Sequence, residues 1–306
     1  MKDFVSIVIP AYNKADWTIK TVESVLAQTY PQIEIIVVDD GSTDDTPRAM
    51  ERFAGRIRYV RKANGGACSA RNLGIKEGKG EFVGFLDCDD LYLPQKVEES
   101  VCFLKQNPLV GMVHTAAYFI DEQDQVTGRY SHPKSRTAGW IAKRLAGGNY
   151  ICNSTVLLRR ECLDKTGLFD ESIFSPADWD LWLRVAEQYP IGYIDQPLTQ
   201  YRVCGNYIFK HVEEAREEEL QVLNNFFSRN AQYGVYLKRD AFSALHLRYA
   251  QCFFIKNNRE EMKKEFFNAL QVNPWNMKAL ALGGYFLLAP ASLEAVLKRK
   301  ILRYAE

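Results

Sequence analysis

In the first third of the chain the apolar positions fall into short, β-rich blocks. VSIVIPAY (Val5 to Tyr12), IEIIVVDD (Ile33 to Asp40), RIRYV (Arg56 to Val60) and EFVGFL (Glu81 to Leu86) are too short for stable helices and read as strands. Between them the period lengthens. Ile19, Val22 and Leu26 recur at helical spacing, and TYP closes that helix. STDDTPRAMERFA (residues 42–54) predicts a helix capped by Ser42 or Thr43. ACSARNLGIKEG (67–78) predicts one entered through the glycines of NGG, and PQKVEESVCFLKQN (94–107) one started by Pro94. Strands alternating with helices imply parallel βαβ units with right-handed crossovers.

The rhythm changes after Val110. VGMVHTAAYFID and QVTGRY read as a strand pair across a polar turn, and STVLLRRECLDKTG as a strand leading into a helix. DWDLWLRVAEQY is an amphipathic helix, and IGYIDQPLTQYRV one or two strands. From about Lys210 onward the pattern is helical throughout, with breaks at Asn257–Asn258 and at Pro274. Ala250, Phe266, Ala269, Leu270 and Pro274 weakly resemble one tetratricopeptide unit, but there is no second clear copy, so a helical appendage is expected. The expected organisation is a domain over residues 1–209, divided into halves at 1–109 and 110–209, followed by a helical region at 210–306.

Composition narrows the function. A formal net charge of +1 gives no general attraction for nucleic acid. The seven cysteines, at 68, 88, 102, 152, 162, 204 and 252, are odd in number and form no CxxC pair, which suits reduced thiols better than disulfides or a zinc site. MKDFVSIVIP is too short for a secretory leader. The apolar run Ala279 to Ala291 falls short of the roughly 18 residues of a membrane span. A cytoplasmic location is therefore expected. Near the end, Lys298, Arg299, Lys300 and Arg303 alternate with Val296, Leu297, Ile301 and Leu302. That pattern suits a solvated basic face, the commoner case, or docking on the inner, anionic face of the plasma membrane.

The candidate chemistry sits where strands end, which is where open parallel sheets bind ligands. The first strand ends in PAYN, the second in DDGS and the fourth in DCDD. Asp39 and Asp40 suit a turn and cap, and a carboxylate there could also accept a hydrogen bond from a base or sugar while Tyr12 covers a flat ring. Asp87, Asp89 and Asp90 repel one another within four positions, so the cluster asks for a cation. Mg²⁺ and Mn²⁺ commonly share one or two carboxylates with substrate phosphates. NGGACSARNLG (Asn64 to Gly74) could approach a phosphate through Gly65, Gly66 and the fork of Arg71, although it is not a P-loop.

Taken in order, SIVIPAYNKADWTIKTVESVLAQTYPQIEIIVVDDGSTDDT, NGGACSARNLGI, FLDCDDLYLP and FDESIFSPADWDLWLRV resemble the family 2 glycosyltransferases. The resemblance spans about Val5 to Asn206. It implies an α/β GT-A fold, a Rossmann-like mixed sheet flanked by helices, here with a C-terminal all-helical appendage. It implies a metal-dependent, inverting transferase that moves a sugar from a nucleotide-diphosphate donor, most often a UDP-sugar, to a hydroxyl on a glycan or lipid-linked acceptor, in surface polysaccharide or glycoconjugate synthesis. Carried over by position, Pro10, Ala11 and Tyr12 line the uracil, with Tyr12 stacking; Asp40 meets the ring N–H, supported by Asp39. Asn64, Gly66 and Arg71 belong near the diphosphate. DCD matches the family's DxD motif, with Asp87 and Cys88 near the ribose, Asp87 or Asp89 toward the metal, and Asp89 the direct ligand of Mn²⁺ or Mg²⁺. Asp178 of ADWD is the implied general base, with Asp180 as the competing position.

Two departures from the family pattern stand out. Ala177 replaces the usual Glu before the base, and Cys204 in YRVCGN replaces a His, so that metal binding would lean on Asp89, phosphates or His211. The QxxRW motif of processive synthases is absent, which favours single addition. A sugar-nucleotide pyrophosphorylase would need a glycine-rich signature after the first strand, where PAYNKAD stands. A non-catalytic interaction protein built on a degenerate transferase domain is the other alternative; retention of Asp40, Asp87, Asp89 and Asp178 argues against it.

Overall fold

The computed structural model describes residues 2–130, 138–203 and 211–288. The chain divides into two compact units, Met1–Ala142 with Tyr150–Gly205, and Lys143–Asn149 with Asn206–Glu306.

The first unit is built on one nine-stranded sheet. Its strands are β1 (Val5–Ala11), β2 (Ile33–Asp39), β3 (Arg58–Arg61), β4 (Phe82–Phe85), β5 (Leu91–Tyr92), β6 (Met112–Ile120), β7 (Val126–Tyr130), β8 (Val156–Arg159) and β9 (Ile191–Arg202). They run in the order β3-β2-β1-β4-β8-β6-β9-β5, with β7 paired to β6. The first four strands are parallel, as their alternation with helices requires. β8 is inserted antiparallel between β4 and β6, which makes the sheet mixed. Residues 191–202 form one long strand, kept continuous by register shifts against β6. β5 has only two residues, too few to leave a periodic trace in the sequence.

The helices of this unit are α1 (Ala15–Leu26), α2 (Thr46–Met50), α3 (Gly66–Glu77), α4 (Lys96–Gln106), α5 (Ala142–Leu145), which runs on into the second unit, α6 (Arg160–Thr166) and α7 (Ala177–Gln188). The cap expected at Ser42 or Thr43 is not used. α2 starts at Thr46 with Pro47 in its first turn, because Ser42 and Thr43 are committed to the loop contacts of Asp39 and Asn13. Every residue of β1 is buried, as befits a central strand covered on both faces. α3 lies close to that strand because of Gly74: a Cβ there would stand 2.3 Å from Val8 Cγ1. α7 is anchored by Trp182, whose ring lies 6.1 Å from Phe85 and 6.2 Å from Phe169. That anchor fixes the N-terminus of α7, where Asp178 sits.

An ammonium also lies inside this packing. Lys96, at the start of α4, is 1% exposed. Its ammonium donates to Ser100 Oγ at 3.2 Å and sits 5.2 Å from the Tyr92 ring. Burial lowers its pKa from 10.5 to about 7. His114 on β6, also buried and 5.0 Å from the Tyr193 ring, is pushed down to about 3 by burial and by the charge of Lys96.

The second unit holds α8 (Val212–Arg229), α9 (Gly234–Ile255), α10 (Arg259–Val272) and α11 (Met277–Leu288). The break at Asn257–Asn258 has a physical cause: Asn257 adopts φ 60° and the Asn258 side chain caps α10 by accepting the Glu261 N–H. Ala250, Phe266 and Ala269 are buried. Arg216 reaches Glu261 at 3.1 Å and Glu265 at 3.0 Å, a charged link from α8 to α10. Among the described residues no helix is long and apolar enough to cross a membrane. Cys204 and the basic segment 296–303 lie outside the described residues.

Candidate active site

The β1–β2 register pairs Ala11 with Asp39, and the β1–β4 register pairs Val8 with Phe85. The three strands therefore release PAYN, DDGS and DCDD on one edge of the sheet. Gly41 makes the second turn possible. It adopts φ +81°, and a Cβ there would meet Asn64 N at 2.9 Å.

The two aspartates after β2 have different surroundings. Asp39 is fully buried; it accepts from Ser42 N–H at 2.7 Å and from the Tyr59 hydroxyl, and lies 3.6 Å from Arg61 Nε. Asp40 accepts from Lys62 Nζ at 2.7 Å, Gly65 N–H at 3.0 Å and Gly66 N–H at 2.7 Å. Its Oδ2 takes only the Gly66 donor among the described residues, so it keeps acceptor capacity. Asp40 thereby ties the end of β2 to the start of α3. Pro10 and Ala11 are buried, whereas Tyr12 is 47% exposed and presents its ring. Asn64 is exposed.

The three aspartates after β4 also divide. Asp87 Oδ1 accepts from Arg71 at 2.6 Å and from Asn153 Nδ2 at 3.2 Å, and its N–H donates to Ser154 Oγ at 3.1 Å. Asp90 is buried and accepts from the Arg202 N–H at 2.8 Å and from the Ser154 hydroxyl. Burial, then the charges of Asp89 and Asp87, raise its pKa well above the carboxylate range. These bonds, to Arg202 of β9 and to Ser154 before β8, make it a structural carboxyl. Asp89 pairs with the Lys14 ammonium, and its carbonyl accepts from Arg202 Nε at 2.7 Å. Cys88 points into the core, and burial pushes its thiol up to about 12.

Arg71 is the electrostatic hub. Burial alone would lower its pKa, but the Asp87 carboxylate outweighs that and raises it, with Asp178 contributing in the same direction. Its guanidinium also lies 5.5 Å from the Phe169 ring. Asp178 is half-buried in the first turn of α7 and accepts from the Trp179 N–H at 2.7 Å. Its charge is felt at Arg71, Cys68, Tyr130 and Cys152. Asp180 turns the other way. It is buried and bound to Arg184 at 2.8 Å, which itself donates to the carbonyls of Thr166 and Leu168. Ala177 is buried beside Asp178 and offers no side-chain polar group. His211 flanks the start of α8 in the second unit.

Four participants escape a reading of the sequence. Arg202 spans the acidic turn, with its side chain on the Asp89 and Asp121 carbonyls and on Asp124. It lies in the same YRVCGN stretch as Cys204. Asn153 and Ser154 reach Asp87 and Asp90 only because β8 enters the sheet antiparallel beside β4. Lys14, next to PAYN, carries no signature of its own.

The acidic turn fits a divalent cation of the kind that substrate phosphates help to hold. Asp89 Oδ1 and Asp87 Oδ2 accept no hydrogen bond from the described residues, and both side chains are partly exposed, at 19% and 30%. Beside them Asn153 Oδ1 and Arg71 Nε are buried and have no hydrogen-bond partner among the described residues. No three His, Cys, Asp or Glu side chains among the described residues form a cage, and a cation shared with a diphosphate needs none.

Comparison with known proteins identifies the family and the fold. Residues 6–167, more than half of the chain, match the family described as Glycosyl transferase family 2. An uncharacterized glycosyltransferase of Rickettsia felis is 37% identical over 205 residues, 66% of this chain and 33% of its own length. Chondroitin synthase of Escherichia coli is 31% identical over 230 residues, 74% of this chain and 33% of that protein. The chain thus spans only about a third of these two relatives. The Escherichia coli protein WfaP, named as a UDP-Glc:alpha-D-GlcNAc-diphosphoundecaprenol beta-1,3-glucosyltransferase, is 34% identical over 60% of this chain and 70% of its own. Two solved structures share the fold. S. aureus TarS 1–349 in complex with UDP has a TM-score of 0.58 at 19% identity, over 89% of this chain and 90% of that one. The mannosyltransferase PcManGT of Pyrobaculum calidifontis, in complex with GDP-Man and Mn²⁺, has a TM-score of 0.61 at 20% identity, over 96% and 83%. The mixed sheet flanked by helices is the GT-A architecture, and the chain belongs to glycosyltransferase family 2.

Proposed function

We propose that this chain transfers a sugar from a UDP-sugar to a hydroxyl of a glycan or lipid-linked acceptor, with inversion, and with Mn²⁺ or Mg²⁺ at the diphosphate. The observation that carries the reading is the grouping around Arg71: one guanidinium ties Asp87 of the acidic turn and feels Asp178 at the head of α7. The acidic turn and the candidate base thus belong to one electrostatic cluster.

Each residue then has a role. Tyr12 stacks on the base, and Asp40 Oδ2, with acceptor capacity left, takes the ring N–H. Asp39 holds the turn that aims Asp40. Gly66 and Asn64 bring backbone close to the donor, and Arg71 supports its diphosphate side by holding Asp87 in place. Asp87 and Asp89 would hold the cation, which supplies Lewis-acid neutralisation of the departing diphosphate. Asp178 takes the proton of the acceptor hydroxyl as that oxygen attacks the anomeric carbon from the face opposite the leaving group. A single displacement of this kind inverts the centre. Asp180 is occupied by Arg184, which supports Asp178 as the base.

The UDP donor is supported by the UDP-Glc donor of WfaP and the UDP of the TarS complex, and the cation by the Mn²⁺ of the PcManGT complex. Asp178→Asn is expected to lower turnover by about 10²- to 10⁴-fold with UDP binding intact. Asp89→Asn is expected to abolish the Mn²⁺-dependent gain in UDP affinity. A sugar-transfer assay reads the turnover, and calorimetry of UDP with and without Mn²⁺ reads the binding of both variants; a Mn²⁺-dependent gain that persists in Asp89→Asn refutes the metal assignment. NMR of the product's anomeric proton tests inversion.

A further inference from the structure

Every aspartate of the acidic turn has a counter-group, and the three differ in kind. Asp87 is held by a buried guanidinium and Asp90 by a main-chain N–H and a hydroxyl, both fixed by packing. Asp89 is held by Lys14, a flexible ammonium whose side chain is 36% exposed. Lys14 is secured through its main chain, where its carbonyl accepts from the Thr18 N–H at 2.9 Å and the Thr18 hydroxyl at 2.7 Å. Its ammonium lies 5.3 Å from the Trp17 ring, and the Arg202 guanidinium lies at the same distance from that ring. Arg202 meanwhile grips the Asp89 carbonyl. The backbone of the turn is therefore fixed by Arg202, and the carboxylate of Asp89 is neutralised separately, by a partly exposed ammonium.

We propose that Lys14 is the exchangeable counter-ion of Asp89: it holds that carboxylate against free divalent cations and yields it when a nucleotide diphosphate arrives with its cation. The inference rests on the metal reading given above. A divalent cation alone must displace an ammonium to reach Asp89 and gains only one or two carboxylates. A cation bound to a diphosphate brings its own negative ligands, and the displaced ammonium finds a new partner in the phosphates. Lys14 thus couples cation binding to nucleotide binding, and such coupling is reciprocal.

The test is Mn²⁺ binding, read from the free-ion EPR signal, for the full chain with and without UDP. Lys14→Met removes the charge, and Lys14→Arg keeps it. Without UDP, Lys14→Met is expected to bind Mn²⁺ about tenfold more tightly than the natural chain, as removal of a charged hydrogen-bond competitor implies. The enhancement that UDP gives to Mn²⁺ binding should shrink in the same variant, while Lys14→Arg behaves as the natural chain. If the natural chain binds Mn²⁺ with UDP and Lys14→Met gains nothing without UDP, the counter-ion role is overturned and the metal reading stands. If the natural chain binds no Mn²⁺ even with UDP, the metal reading falls and this proposal falls with it. Lys14→Gln gives a second neutral variant should Lys14→Met fold poorly.

Discussion

Replacing Lys96 by Met measures what it costs this fold to bury an ammonium. The side chain is 1% exposed, and burial lowers its pKa from 10.5 to about 7. Above pH 10.5 neither the folded nor the unfolded chain carries this proton, and the cost vanishes. As pH falls from there to 7 the unfolded chain takes up a proton that the folded chain refuses, so stability falls. Below pH 7 both carry it and the penalty is at its full value. A shift of this size corresponds to roughly 5 kcal/mol. Met fills a similar volume but gives up the Ser100 hydrogen bond and the Tyr92 ring contact, together worth about 2 kcal/mol. Lys96→Met should therefore stabilise the first unit by about 3 kcal/mol at pH 7. The neighbouring titratable groups stay outside the window: His114 titrates near 3, and burial pushes Tyr92 upward. Urea unfolding from pH 7 to 9.5 reads the difference, with the natural chain gaining about 3 kcal/mol on the variant across that range. Parallel stability curves for the two proteins would refute the reasoning.

Two further substitutions test the frame of the site. Arg202→Met should cost about 3 kcal/mol, because it strips the Asp89 and Asp121 carbonyls of a donor and leaves Asp124 without this guanidinium; hydrogen exchange at residues 87–90 should speed up along with the loss of stability. Gly74→Ala should cost about 1–3 kcal/mol, since the new methyl meets Val8 at 2.3 Å and must push α3 off β1; a lower midpoint in thermal unfolding reads it, and an unchanged midpoint would contradict the close packing.

The parallel half of the sheet was legible because each of its strands is a local event, a short apolar block followed by a helix. The residues at the strand ends were legible for the same reason: a strand's last residue and the turn after it are neighbours in sequence. Asp178 stood out through family resemblance, and its distinction from Asp180 needed the Arg184 contact that only the fold supplies. Lys14, Asn153, Ser154 and Arg202 were illegible because their partners lie far along the chain and no periodicity marks such pairing. The misplaced start of α2 has a related cause. Ser42 and Thr43 fit a cap in isolation, but long-range contacts with Asn13 claimed them for the loop.

The arrangement around Asp90 bears on how the chain matures. Its carboxyl is bonded to Ser154 and to the main chain of Arg202, partners 64 and 112 residues downstream. Closing loops of that size is entropically expensive and slow relative to local helix formation. A nascent chain that has emerged only as far as Asp90 thus carries three crowded aspartates with none of these later partners. The turn after β4 is consequently not self-sufficient during biosynthesis. It acquires its final hydrogen bonds only once the strand that ends at Arg202 has left the ribosome and paired.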